Sequence, residues 1–325
     1  ILHGTTIITQ ESAYDLMTGR QKRRQHPLSG ESVAWQYTRN YGCNTVIASE
    51  NLLTFRSAAA GFLDLATDGG TGNLGGFKSG CTSNLVVAGG LLNAPEYTRT
   101  CTCSYQNQTS LAMVHDPNVE VWTFSPLPAA RQRVQRLGLN LGAPGDRMDD
   151  SGTLWLDWPS VGGPGPRIDV RTQPSRPSWF RHHSLRLAAG PLPWVEASGA
   201  IGLRQIRIGM GGPRGRSGRY TVRLHFVDPR LSTDDGRPTM DEMGIPQPKA
   251  ASTDAIRNTK YKFDVAIQGQ TVLEGFDVTK EAAGTRIGLV REFTRVEIGD
   301  ALTVMLRPAG EGAQTVLCGV ELVME

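Results

Sequence analysis

Two stretches of the chain repeat one pattern, and that repeat limits the folds open to its first third. Residues 6–19 read T-I-I-T-Q-E-S-A-Y-D-L-M-T-G, and residues 52–69 read L-L-T-F-R-S-A-A-A-G-F-L-D-L-A-T-D-G. Each carries aliphatic residues and a Thr, then a gap, an aromatic, Asp-Leu, and a Thr close to a Gly. The Asp-Leu pairs begin at Asp15 and Asp64, a period of roughly 50 residues that fits propeller-type blades better than helical solenoids. One blade cannot bury both of its faces, so two or three blades call for companions. The chain opens at Ile1 inside this repeat. Upstream blades or a second chain are therefore the expected partners.

The 325 residues allow two domains, each with its own core. The 38 Gly and 19 Pro are dispersed among Val, Thr, Leu and Arg, as in short strands joined by many turns. No apolar run is long enough for a transmembrane helix. With 34 Lys+Arg against 31 Asp+Glu the formal charge is +3. That balance is too even to call for nucleic acid or an anionic membrane. The basic clusters at 20–24 and 214–219 read as solvated loops.

From residue 1 to about 114, apolar runs of four to six residues alternate with Gly-rich turns, which suits strands. Residues 68–80, D-G-G-T-G-N-L-G-G-F-K-S-G, form a loop. Lys78-Ser79 follows Phe77 there, not the Gly that a phosphate-binding loop needs. The apolar runs at 6–9 and 85–88 carry no charge and are expected at open sheet edges that something else covers. Residues 116–133 read as a linker, pinned by Trp122 and Phe124. From residue 134 the strands lengthen. In 220–226, alternation places Tyr220, Val222, Leu224 and Phe226 on one face, and Thr221, Arg223 and His225 on the other. Residues 231–258 form a turn-rich insertion with Pro238, Pro246 and Pro248. With no long amphipathic helix anywhere, the fold class is all-β.

Cys43, Cys81, Cys101 and Cys103 fall within about sixty residues, without His or Cys at zinc spacing. They read as two disulfides of an exported protein, with the pairing open. A four-thiolate zinc site is the lesser alternative. Cys318, in the apolar run V-L-C-G-V-E-L-V, reads as a buried free thiol. Asn107 opens a formal glycosylation sequon.

Residues 1–115 resemble the closing blades of PQQ-like, quinoprotein-type β-propellers. The resemblance lies in A-Y-D-L-M-T-G, Y-G-C-N-T-V-I-A-S-E-N-L-L-T-F-R-S, A-G-F-L-D-L, G-C-T-S-N-L, A-G-G-L-L-N-A-P and C-T-C-S-Y-Q-N-Q-T-S-L-A. It implies a quinone cofactor held by a full ring of blades, a calcium site and a vicinal disulfide. This sequence has no adjacent Cys pair and too few blades, so no PQQ site is expected within it. Residues 134–325 resemble a malectin-like carbohydrate-binding domain. The carriers are R-L-G-L-N-L-G-A-P-G-D-R-M-D-D-S-G-T-L-W-L-D-W-P, R-Y-T-V-R-L-H-F-V-D-P, F-D-V-A-I-Q-G-Q-T-V-L-E-G-F-D-V, L-T-V-M-L-R-P and L-C-G-V-E-L. That implies a jelly-roll-type sandwich whose loops bind sugar.

Sugars offer C–H faces and hydroxyls, so their sites pair aromatic platforms with carboxylates. The candidates are Asp146, Asp149, Asp150, Trp155, Asp157 and Trp158, with Trp179 in a second group beside Phe180, His182 and His183. The blander reading gives one Trp to the core and makes the aspartates turn formers or calcium ligands. There is no nucleophile elbow, paired-carboxylate motif or H-E-x-x-H. The expectation is a non-catalytic extracellular, cell-surface or periplasmic module that binds glycan or a protein. The alternatives are part of a quinoprotein oxidoreductase and a self-assembling surface protein.

Overall fold

The computed structural model describes residues 1–10, 12–81, 83–96, 109–213, 215–230 and 259–325. Cys101, Cys103, Asn107 and the insertion at 231–258 lie outside these residues. The chain is all-β and divides into two compact units. The first comprises Ile1–Ala129, Gly145–Leu154 and Gly162–Pro166; the second comprises Ala130–Pro144, Trp155–Val161 and Arg167–Glu325.

The first unit is a set of antiparallel meanders. Strands β1 (Leu2–His3), β2 (Thr6–Ile8) and β3 (Ala13–Asp15) form one, and β4 (Arg23–Gln25) pairs with β5 (Ser32–Ala34). Strands β6 (Ile47–Ala48), β7 (Leu52–Ser57), β8 (Ala59–Asp64) and β9 (Thr71–Asn73) run up and down in sequence order. Strands β10 (Val86–Ala88), β11 (Leu91–Ala94) and β12 (Leu111–Val114) make a third meander. Strand β13 (Thr123–Phe124) adds to β9. The segment read as a linker thus contributes a strand to this unit. The open-edge expectation for residues 6–9 is corrected: β1 and β3 flank β2 on both sides. Strand β10 does lie at the edge of its sheet.

Alternation explains the packing. Ile8 and Ala13 of the first meander bury against Leu53, Phe55 and Leu63 of the second, with Tyr37 between them in one cluster. Ala60, Leu85 and Ala94 form a smaller cluster with Phe77 and Leu92 around it. Within the Gly-rich loop, Lys78 is fully buried, and its Nζ lies 3.1 Å from Glu96 Oε2. A buried ammonium is stable only with such a counter-charge, so the lysine serves the interior and not a phosphate. Cys43 and Cys81 each approach Arg56 Nη1 at 3.8 Å, and no bond joins the two sulfurs.

A short strand of the first unit, β15 (Arg147–Met148), follows the opening strand of the second unit, β14 (Arg136–Leu141). The second unit continues with β16 (Leu154–Trp158), β17 (Val170–Gln173), β18 (Ser178–Arg181), helix α1 (Pro193–Glu196), β19 (Ser198–Ile201) and β20 (Gln205–Gly209). Then come β21 (Gly218–Phe226), β22 (Lys262–Ile267), β23 (Gln270–Asp277), helix α2 (Val278–Glu281), β24 (Leu289–Ile298), β25 (Ala301–Pro308), β26 (Val316–Leu317) and β27 (Gly319–Met324). One sheet runs β16-β14-β27-β21-β24, and a second runs β17-β20-β25-β22-β23. Strands β18, β19 and β26 form a small third sheet.

The sandwich closes where the two inner faces meet. Tyr220, Val222, Leu224 and Phe226 of β21 are fully buried. Phe226 meets Phe263 of β22 and Phe276 of β23 at centroid distances of 5.9 and 5.0 Å, within the range of favourable tilted aromatic packing. The closing strand β27 is central, hydrogen-bonded to β14 on one side and β21 on the other.

The opposite face of β21 is half-exposed at Thr221 and Arg223 and buried at its end. His225 is 2% exposed, with its Nδ1 2.8 Å from Glu196 Oε1. Alternation alone assigned that face to solvent, but Trp155 and helix α1 cover its end. Cys318 is buried as read from its apolar run, and burial pushes its thiol pKa well up.

Candidate functional site

Strand β16 runs parallel to β14, with Trp155 opposite Gly138 and Trp158 opposite Leu141. The two tryptophans have different fates. Trp155 is fully buried, its ring edge-on to Trp194 at 5.9 Å and to His225 at 5.0 Å. A Cβ on Gly138 would fall 2.2 Å from the Trp155 ring, so the neighbouring strand must carry a glycine there. Trp155 is therefore corrected from ligand platform to core residue: it has no free ring face.

Trp158, at the end of the same strand, is half-buried. Its ring packs against Trp179 at 5.6 Å with an interplanar angle of 65°. Trp179, also half-buried, stands on β18 opposite Ala200 of β19. Two aromatic groups that are separate in the sequence thus become one pair. Asp157 precedes Trp158, half-buried, with its Oδ2 accepting from the Val161 N–H at 2.7 Å. Asp157, one position before Trp158 on the strand, faces the opposite side from it. Paired rings with remaining accessible surface can hold an apolar ligand face.

The three earlier aspartates belong to the first unit and do not gather around an ion. Asp146 is 4% exposed, and its Oδ2 accepts from the Ser125 N–H at 3.0 Å. Asp149 Oδ1 accepts from the N–H groups of Ser151 and Thr153 at 2.8 and 2.9 Å, which closes a local turn. Asp150 is exposed. Among the described residues no three His, Cys, Asp or Glu side chains converge as a metal set. These three carboxylates are thus engaged separately and do not by themselves form a calcium ligand set.

On β18 and just after it, Phe180 is buried and its ring lies 5.8 Å from His182. Burial, then the charge of Arg186, lowers the His182 pKa to about 4. His183 points elsewhere, its Nδ1 accepting from the Leu185 N–H at 3.2 Å. The adjacent histidines thus meet different neighbours, as expected for alternate positions on an extended chain.

Sequence reading missed the Glu196–His225 pair. Both residues are buried, and the carboxylate also accepts from the Leu192 N–H at 3.1 Å. A Cβ on Gly288 would fall 2.7 Å from the Glu196 side chain. No local motif announces a pair whose members come from a four-residue helix and a strand so far apart in the chain.

No family model matches the chain, and no curated protein does so either. Among solved structures, the chain is similar to a β-glucuronidase of Bacteroides uniformis, with TM-score 0.41 and 14% identity. That match covers 68% of this chain and 21% of the enzyme. It is also similar to the plant receptor-like kinase FER, with TM-score 0.34 and 19% identity, over 58% of this chain and 42% of the other. The ANXUR2 extracellular domain of Arabidopsis thaliana gives TM-score 0.32 and 19% identity, over 59% and 41%. The chain thus spans about a fifth of the first structure and about two fifths of the other two. At that degree of likeness, the sandwich assignment rests on the strand order and register of the chain itself.

Proposed function

We propose that this chain is a non-catalytic binding module of an extracellular, cell-surface or periplasmic protein, and that its second unit binds carbohydrate. The observation that carries this reading is the half-buried Trp158–Trp179 pair. Tilted aromatic rings suit the C–H face of a pyranose. The meanders of the first unit support a blade-type reading of that part, completed in the whole protein by further blades or a second chain.

A glycan array with the whole chain tests the proposal. At least one glycan should be retained, and Trp179→Ala and Trp158→Ala should each weaken it about 10-fold, the loss of roughly one aromatic contact. Retention of no glycan, or of glycans that bind both variants as well as the parent, overturns the carbohydrate reading in favour of a protein partner.

A further inference from the structure

The first unit holds a partly open pocket of about 130 Å3. Its polar wall includes Arg24 at the middle of β4, Asp68 in the turn after β8, and Ser125 just after β13, with Gln25 and Thr67 beside them. Its apolar wall is made by Leu127, Met148 and Leu154. The space would hold about four waters, at the roughly 30 Å3 each takes in the liquid.

The polar wall is built and only partly satisfied. Arg24 Nη1 donates to Asp68 Oδ1 at 2.6 Å, and Nη2 donates to the Gln36 carbonyl at 3.2 Å. Arg24 Nε is buried with no hydrogen-bond partner. Ser125 is 3% exposed; its N–H is held by Asp146, while its Oγ is buried and also has no partner. A buried donor without an acceptor costs about 1–3 kcal/mol, and here two such groups border one cavity or belong to residues that line it. Burial raises the Asp68 carboxyl above its ordinary range, against the pull of Arg24. Asp68 also adopts a φ of 53°, in the left-handed region. Such strain persists only where the surroundings hold the residue in place.

The chemistry of the wall narrows the ligand. Arg24 and Asp68 cancel each other's charge, so an ion of either sign gains little. Available are a free guanidinium N–H, a hydroxyl that can donate or accept, and carboxylate oxygens that accept. A vicinal diol matches this set, because each of its oxygens both donates and accepts. Its C–H groups match the Leu127, Met148 and Leu154 side. We propose that this cavity binds a neutral polyol, taking a vicinal diol between Asp68, Arg24 and Ser125. The site is independent of the tryptophan pair of the second unit.

Ligand-observed saturation-transfer NMR on the whole chain tests it, with glycerol and other acyclic polyols, which offer no ring face to the tryptophan pair, as probes and acetamide as the competing class. At least one polyol should give a signal that Asp68→Asn and Ser125→Ala each weaken at least 10-fold. Trp179→Ala should leave that signal unchanged, which separates this site from the one proposed above. Ser125→Ala removes only an unpartnered hydroxyl, so its melting temperature should not fall, and it remains informative if Asp68→Asn unfolds. The proposal is overturned if no polyol binds, if Ser125→Ala binds as well as the parent, or if acetamide binds as tightly as the best polyol.

Discussion

Asp15 and Asp64 cap the same turn in two successive meanders. Asp15 Oδ1 accepts from the N–H groups of Met17 and Thr18 at 3.1 and 2.9 Å, and from the Thr18 hydroxyl at 2.8 Å. Asp64 Oδ1 accepts from Ala66 and Thr67 N–H at 2.8 and 3.2 Å, and the Thr67 hydroxyl donates to the other carboxylate oxygen. Repetition in the sequence is therefore repetition of a physical device: a carboxylate that ends a strand and satisfies the next turn. Asp64→Ala should destabilise the protein by about 1 kcal/mol, the net worth of the lost bonds, as read by urea unfolding. Asp15→Ala, at the copy with the same intermediate burial, should have a similar effect. Equal and negligible effects from both would contradict the capping role.

The Lys78–Glu96 pair should behave as a buried ion pair. Glu96→Ala leaves a buried ammonium unpaired and should cost about 3–5 kcal/mol. Replacing both together, Lys78→Met with Glu96→Leu, should recover most of that loss, because burying two charges carries its own desolvation penalty. Urea unfolding of the three variants reads the difference. A double variant as unstable as the single would show that shape, not charge, holds this position.

His182 should make the second unit sensitive to acid. Its folded-state pKa, lowered to about 4, lies below the ordinary histidine value of 6.5. The unfolded chain therefore binds the proton first. The contribution is fully present above about pH 6.5, is lost as the pH falls from there to about 4, and changes no further below that. With its partial exposure the loss should be on the order of 2 kcal/mol. His182→Phe should flatten the stability profile across that window, as measured by thermal melts at several pH values. An unchanged acid limb would remove His182 as its cause.

The cysteines of the first third give a simple count. Cys43 and Cys81 approach one guanidinium nitrogen, which brings them near each other in space as their clustering in the sequence anticipates. We expect all four of Cys43, Cys81, Cys101 and Cys103 to be oxidised in the native protein. Thiol titration of the denatured, unreduced chain should then find about one thiol, Cys318. Four or five would exclude the disulfides.

The sequence by itself determined the fold class and the alternation of the long strands. Tyr220, Val222, Leu224 and Phe226 declare a buried face because strand geometry sends every second side chain the same way. The Asp-x-x-Thr turns are equally local, and so is the buried setting of Cys318. Tertiary structure alone decided which polar residues went inside and which aromatics met. Trp155 and Trp158 lie on one strand with similar local surroundings, yet parallel pairing with β14 lays the first against Gly138, while β18 brings Trp179 to the second. His225 sits on the face that alternation assigns to water, and it is buried because Trp155 and Glu196 arrive there from elsewhere in the chain. Arg24 and Asp68 read as members of a basic run and a glycine loop, and become an ion pair only when β4 meets the turn after β8. Periodicity records how one segment presents its side chains. It carries no information about the distant segment that covers them.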